Sequence, residues 1–162
     1  MDLSFIKSYD LDKGGVFIIM VGPPGSGKTT IAKELEDEYG FSRVSPDEIR
    51  LEITGSMTNQ TRNDEVFGIV YSRLEDLLMA GENVVYDATN CRSRYRYKIL
   101  DATQALSNEV ICICLTTPII ECLKQNQKRI FNVPEDVIEK MYFALKNHPP
   151  TIFEGYDAII KA

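Results

Sequence analysis

Histidine occurs once in the 162 residues, at His148. Beside Pro149 and Pro150 it reads as a surface residue, so histidine-driven catalysis is not expected. No apolar stretch approaches the roughly 20 residues that a membrane-spanning helix needs. The opening Met1-Asp2-Leu3-Ser4-Phe5-Ile6-Lys7 also lacks a basic segment followed by a long apolar core. A soluble, cytoplasmic protein with no membrane partner is therefore expected. Basic charge is short as well, with 18 Lys and Arg against 24 Asp and Glu for a net charge of -6. That balance excludes coating a nucleic acid by bulk charge and leaves a polyanionic partner only a local basic patch. Cysteine is sparse: Cys91, Cys112, Cys114 and Cys122. Cys112-Ile113-Cys114 lies inside an apolar run, whereas zinc sites use wider Cys spacings on turns, so these residues read as small buried hydrophobes.

What is present is concentrated near the start. Gly22-Pro23-Pro24-Gly25-Ser26-Gly27-Lys28-Thr29 fills every fixed position of the phosphate-binding pattern G-x-x-x-x-G-K-[ST]. The same letters in an isolated turn would mean little, so the neighbourhood decides. Val16-Phe17-Ile18-Ile19-Met20-Val21 precedes the loop as an unbroken apolar run of strand length, the kind buried on both faces of a parallel sheet. Ile31, Ala32, Leu35 and Tyr39 follow at helical spacing, with Gly40 placed for a left-handed cap. Strand, glycine loop and helix thus come in the order that binds a nucleoside triphosphate. The nucleotide-binding set is Gly22, Pro23, Pro24, Gly25, Ser26, Gly27, Lys28, Thr29 and Thr30. Lys28 is expected on the β- and γ-phosphates and Thr29 on Mg²⁺, with the positive helix end beside them.

Length and a 44% hydrophobic content allow one domain, 1–162, with a lead-in at 1–15 that turns into the first strand. The large motor ATPases are excluded by size. Phe41 to Ser45 is a short candidate strand. Ser45-Pro46-Asp47-Glu48 then spells a capping box, with Ser45 as N-cap, Pro46 at the first helical position and Glu48 reaching back. Capping accounts for Glu48 and leaves Asp47 free at the carboxyl edge of the sheet, where ligands sit in such folds, making it a candidate catalytic base. Arg50 lies one turn on, on the same helical face.

Residues 51–63 lose periodicity and read as a loop. A helix from about Asp64 to Ala80 carries Val66, Ile69, Val70, Leu74, Leu77 and Leu78 on one stripe and ends at Gly81. Asn83 to Asp87 is a strand closed by an acid. An aspartate at that strand tip, downstream of a phosphate loop, suits a magnesium-holding role; a helix cap is the plainer alternative. Between Ala88 and Leu100 there is no acid, while Arg92, Arg94, Arg96 and Lys98 alternate. On a helix this is either a solvated face or a ridge for an anionic acceptor, with Arg92 and Arg96 together. Val110 to Leu115 is a further buried strand and Ile119 to Gln127 a helix. A segment without acids, Lys124 to Arg129, leads to another amphipathic helix through Val137, Ile138, Met141 and Leu145. A basic connector there suits a lid, at about 124–133, whose arginine would counter charge on a transferred phosphoryl group. Gly155 to Ala162 is the last short strand.

The chain resembles the polynucleotide kinase-like P-loop kinases from about Phe17 to Leu145. The resemblance rests on Gly22 to Thr29, Ser45-Pro46-Asp47-Glu48-Ile49-Arg50, Val85-Tyr86-Asp87-Ala88-Thr89-Asn90, and Asn126-Gln127-Lys128-Arg129 leading to Val133-Pro134-Glu135-Asp136-Val137. It implies an α/β fold with a parallel sheet of order 2-3-1-4-5 flanked by helices and a small lid. It places the general base at Asp47, the acceptor-contacting arginine at Arg50 and the lid arginine at Arg129. With Lys28 these make the expected catalytic set; Thr29 and Asp87 would serve Mg²⁺, and Arg50, Arg92 and Arg96 the acceptor. Gln125 stands where the family has its first lid arginine. The implied activity is transfer of the γ-phosphate of ATP to a hydroxyl, first of all the 5′-hydroxyl end of a polynucleotide. A small metabolite, nucleoside or aminoacyl-tRNA-like acceptor fits the same letters, and a non-catalytic ATP-binding module is a third class. The N-K-x-D signature of guanine-nucleotide switches is absent, and Asp87-Ala88-Thr89-Asn90 after the third strand lacks the glycine of their D-x-x-G.

Overall fold

The computed structural model describes residues 2–162. Five strands, β1 (Val16–Val21), β2 (Ser42–Val44), β3 (Val84–Tyr86), β4 (Glu109–Cys114) and β5 (Ala158–Lys161), form one sheet in the order β2-β3-β1-β4-β5. Every pairing is parallel, with Ile19 opposite Tyr86 on one side of β1 and Cys112 on the other. Parallel neighbours require crossovers, supplied by α1 (Lys28–Tyr39), α2 (Pro46–Thr54), α3 (Asn63–Met79), α4 (Ser93–Thr103), α5 (Ile119–Gln127) and α6 (Glu135–Asn147).

The continuous apolar run of β1 is explained by burial on both faces. Phe17, Ile19 and Val21 enter one cluster with Val66, Val70, Leu74 and Leu78 of α3 and Ile99 and Leu100 of α4. Val16, Ile18 and Met20 enter the other, with Ile31, Ala32 and Leu35 of α1. Strand periodicity of two assigns alternate residues to opposite layers, so neither layer leaves a polar position in β1.

Three local expectations change. Residues 51–63 are not all loop, because α2 continues to Thr54 before Gly55 caps it at φ 73°. Leucine, glutamate and isoleucine at 51–53 are ordinary helix formers, and only from Gly55 do turn formers dominate. The stretch at 1–15 is more than a lead-in. Ser4–Ser8 forms a 3₁₀ turn, and Leu3 and Ile6 are buried beneath it in the α1-side cluster; Met1 lies outside the described residues. The capping box is not made either. Ser45 is the N-cap and Pro46 opens α2, but Ser45 makes no side-chain cap bond. Glu48 accepts a hydrogen bond from Arg43 instead, a charge-assisted contact that outcompetes a backbone amide. Among the described residues no helix is long and apolar enough to cross a membrane.

Candidate active site

The carboxyl ends of β1, β2 and β3 converge, and the residues after each strand form the candidate site. Gly25 (φ 80°) and Gly27 (φ 98°) take left-handed conformations in the loop after β1. At Gly25 a side chain is doubly excluded, since a Cβ would lie 2.2 Å from the Cys122 carbonyl oxygen of α5. Gly27 is the N-cap of α1 and offers no side chain, so the first amides of that helix are left for an anion. Lys28 is the first helical residue and is buried, its Nζ donating to the Pro23 carbonyl at 2.8 Å and to Ser26 Oγ at 3.5 Å. Thr29 and Thr30 are exposed beside it.

The strand-tip acid reaches this loop. Thr29 Oγ1 donates to Asp87 Oδ1 at 3.4 Å, and Asp87 itself is buried. Burial pushes the Asp87 carboxyl above the ordinary aspartate range. Lys28, the Thr29 hydrogen bond and Arg43 oppose the shift, while nearby Asp47 adds to it. Lys28 moves the other way, because burial pushes its ammonium below the usual lysine range. Arg129 adds to that push, and Asp87 and Asp47 resist it.

Asp47 stands on the first turn of α2, with its side chain 56% exposed and Oδ1 accepting from Arg50 Nη1 at 2.7 Å. Arg50 is buried. It also donates to the Met57 carbonyl at 3.3 Å and to Asn63 Oδ1 at 3.1 Å, and its buried Nε has no partner. Arg50 thus pins Asp47 to the turn between α2 and α3 and is not turned toward an acceptor, which corrects the sequence expectation. Thr29 and Asp87 provide a hydroxyl and a carboxylate, the oxygen donors that suit Mg²⁺. Among the described residues no group of three or more His, Cys, Asp or Glu could hold a metal alone, so a cation there would share its shell with nucleotide phosphates.

The arginine ridge divides. Arg96 is 0% exposed and does not face an acceptor, which corrects the sequence expectation. Its Nε and Nη2 donate to Glu154 at 2.7 and 2.8 Å, and its remaining donors reach the carbonyls of Asn90, Cys91 and His148. Five satisfied donors make burial of this charge tolerable. Arg92 is exposed and lines a shallow cleft against α6 with Asp136, Glu139, Lys140, Phe143, Ala144 and Asn147. Arg94 packs on the Tyr95 ring and Lys98 over that of Tyr71.

Sequence reasoning missed four residues. Arg43 of β2 is held among Glu36, Glu48 and Asp87, the last at 3.3 Å. A lone arginine in a short strand entering the site was the available signal. Asn90, with φ 46°, ties the loop after β3 to the carboxyl end of β1 by donating to the Met20 carbonyl at 2.9 Å. The adjacent Thr89 carbonyl accepts from Gly22 N, also at 2.9 Å. Thr117 donates to the Ser26 carbonyl at 2.8 Å, and Asn126 closes the connector after α5. Nothing local distinguishes Thr117, while Asn90 and Asn126 stand in motifs that carry the resemblance but had no role assigned to them.

A protein-family model described as an AAA domain matches residues 17–148. An adenylate kinase of Thermosipho melanesiensis is 28% identical over 130 residues, which are 76% of this chain and 56% of that protein. A chain in the solved structure of the Pnkp1/Rnl/Hen1 RNA repair complex is 25% identical with a TM-score of 0.74, covering 86% of this chain and 47% of its own length. Chaetomium thermophilum Kti12 in complex with ADP-AlF3 superposes with a TM-score of 0.67 at 14% identity, over 90% of this chain and 88% of that one, a likeness of fold. The chain thus spans about half the length of the first two.

Proposed function

We infer the function from a family premise: the chain belongs to the AAA-domain family matched over residues 17–148, among P-loop kinases. On that premise we propose that it transfers the γ-phosphate of ATP to a hydroxyl, and that the acceptor is the 5′-hydroxyl end of a polynucleotide. The observation that carries the reading is Asp47, a half-exposed carboxylate braced by Arg50 at 2.7 Å on the first turn of the helix after β2, the strand that lies beside the one closed by Asp87. A base held across from a phosphate loop is what transfer to an alcohol needs and nucleotide binding alone does not.

In the proposed reaction the loop amides and Lys28 bind the β- and γ-phosphates. Asp47 takes the proton of the acceptor hydroxyl as its oxygen bonds to the γ-phosphorus. The bond from that phosphorus to the β–γ bridging oxygen breaks, and ADP leaves. Arg129 balances the charge spread over the transferred group. Arg50 acts by fixing Asp47, since its Nη groups are engaged inside the protein. Magnesium held through Thr29 and Asp87 would neutralise charge on the phosphate oxygens.

The polynucleotide acceptor is supported by the similarity to the RNA repair complex chain and by the exposed basic residues Arg92, Lys124 and Lys128. A chain end needs few phosphate contacts, so net acidity is no obstacle. A nucleotide-sized acceptor is the second reading, favoured by the adenylate kinase relative. The deciding experiment offers γ-labelled ATP with 5′-hydroxyl RNA and DNA oligonucleotides, AMP and nucleosides in separate reactions. Label on an oligonucleotide supports the first reading and label on AMP or a nucleoside the second. Release of phosphate alone, with all acceptors unlabelled, overturns both.

A further inference from the structure

The connector from α5 to α6 is built as a closed loop rather than a free strap. Asn126, in the last turn of α5, is only 3% exposed. Its Nδ2 donates to the Val133 carbonyl at 2.8 Å, and its Oδ1 accepts from Val133 N at 3.0 Å. One side chain thus satisfies both backbone groups of a residue seven positions on, as a neighbouring β-strand would. Inside the loop Arg129 N donates to the Asn126 carbonyl at 3.0 Å and Lys128 N to that of Gln125 at 3.2 Å. With its side-chain amide turned so that Nδ2 faces inward, Asn132 donates to the Arg129 carbonyl at 2.7 Å and to that of Asn126 at 2.6 Å. Residues 127–132 are therefore tied at their ends and across their middle.

The base of this loop is fastened to the phosphate loop. Thr117, just before α5, donates to the Ser26 carbonyl, and the Cys122 carbonyl packs on Gly25 so closely that no side chain fits between. Cys122 and Asn126 are four residues apart and are the buried residues of α5, so they occupy the same helix face, one turn apart. The path from Gly25 through Cys122 to Asn126 and the loop is continuous and packed. Its outer surface carries Ile130, 93% exposed, and Phe131 is only partly covered at 37%, so none of the apolar side chains at 127–132 is fully buried to hold the loop. The side-chain amide of Asn126 holds it instead.

We propose that Asn126 is a positioning residue for Arg129: by clasping Val133 it holds the 127–132 loop so that the arginine is presented to the phosphate loop before substrates arrive. This rests on the transfer activity proposed above and adds to it a device that removes the ordering cost of the lid from the reaction.

The test is a double-mutant cycle on the full chain, read as label transfer from γ-labelled ATP to the acceptor found above and as phosphate release to water. Arg129→Ala lowers kcat by about 10²-fold or more. Asn126→Ala lowers kcat roughly 10- to 100-fold with KM for ATP changed less than about threefold. In the Arg129→Ala background Asn126→Ala adds nothing, because its effect passes through the arginine. Trypsin cleaves after Lys128 and Arg129 faster in Asn126→Ala than in the parent, a readout independent of catalysis. Asn126→Asp, which keeps the acceptor and loses the donor, serves if the alanine variant does not fold. Wild-type kcat in Asn126→Ala, an additive double mutant, or unchanged trypsin cleavage each overturns the inference. Wild-type kcat in Arg129→Ala overturns instead the arginine's role in the proposed function.

Discussion

Arg96 and Glu154, 58 residues apart in the chain, form a two-point ion pair at 2.7 and 2.8 Å in which neither side chain is more than 4% exposed. The pair joins α4 to the turn before β5. Through the Asn90 and Cys91 carbonyls it also steadies the loop that braces the phosphate loop. Arg96→Ala should therefore destabilise the protein by about 3 to 5 kcal/mol, because it leaves Glu154 buried and unpaired. Thermal or denaturant unfolding measures this. Arg96→Met with Glu154→Leu should recover much of the loss, while Arg92→Ala, at an exposed position, should change stability by less than about 0.5 kcal/mol.

Asp47→Asn should lower the rate of phosphoryl transfer by roughly 10²- to 10⁴-fold. Nucleotide affinity, measured by titration with a fluorescent ATP analogue, should stay within about threefold of the parent, since Asp47 stands on α2 and not in the phosphate loop. Transfer at the parental rate would remove Asp47 from the base role.

Gly25→Ala and Gly27→Ala separate conformational cost from collision. At Gly27 a Cβ meets nothing within 4 Å, so alanine there faces only the left-handed backbone, about 1 to 2 kcal/mol. At Gly25 it also meets the Cys122 carbonyl at 2.2 Å. Gly25→Ala should show the larger drop in melting temperature and the larger loss of nucleotide affinity; equal effects would mean that α5 yields readily.

Asp87 links acidity to stability. Its carboxyl pKa is raised in the fold, chiefly by burial. Folding therefore favours its protonated form, and this contribution is full below the unfolded aspartate pKa and lost as pH rises through the folded one. The stability of the parent relative to Asp87→Asn should accordingly increase as pH falls from 7 toward 4, in thermal melts of both proteins. A difference that stays flat, or changes in the opposite direction, would contradict the assignment.

Thiol chemistry should be slow. All four cysteines are free and buried, and burial pushes the Cys91 thiol up to about 12. At pH 8 the native protein should react with a thiol reagent far more slowly than the unfolded chain, as followed by absorbance. Rapid labelling of Cys91 would show that the loop after β3 opens.

Much of the architecture was legible before any coordinates. The phosphate loop between an apolar run and an amphipathic segment announces itself through local spacing, and the α/β class and parallel sheet follow from it. Asp47 and Arg50 were likewise paired by helical spacing alone, and the structure places them in contact. The capping box was legible and still wrong, because Arg43 competes for Glu48 from a strand that the four-letter pattern does not contain.

By itself the sequence determined which segments run as strands, most of those that run as helices and where the backbone must turn without a side chain. Periodicity and glycine act within a few residues, so they survive the absence of a third dimension. Only the tertiary structure decided the fate of the charges. Arg92 and Arg96 stand four residues apart, the first at the extended N-cap of α4 and the second inside the helix, yet one is exposed and the other is sealed against Glu154. Whether a charge can be buried depends on a partner brought from far along the chain, and that proximity is a property of the folded sheet and its crossovers.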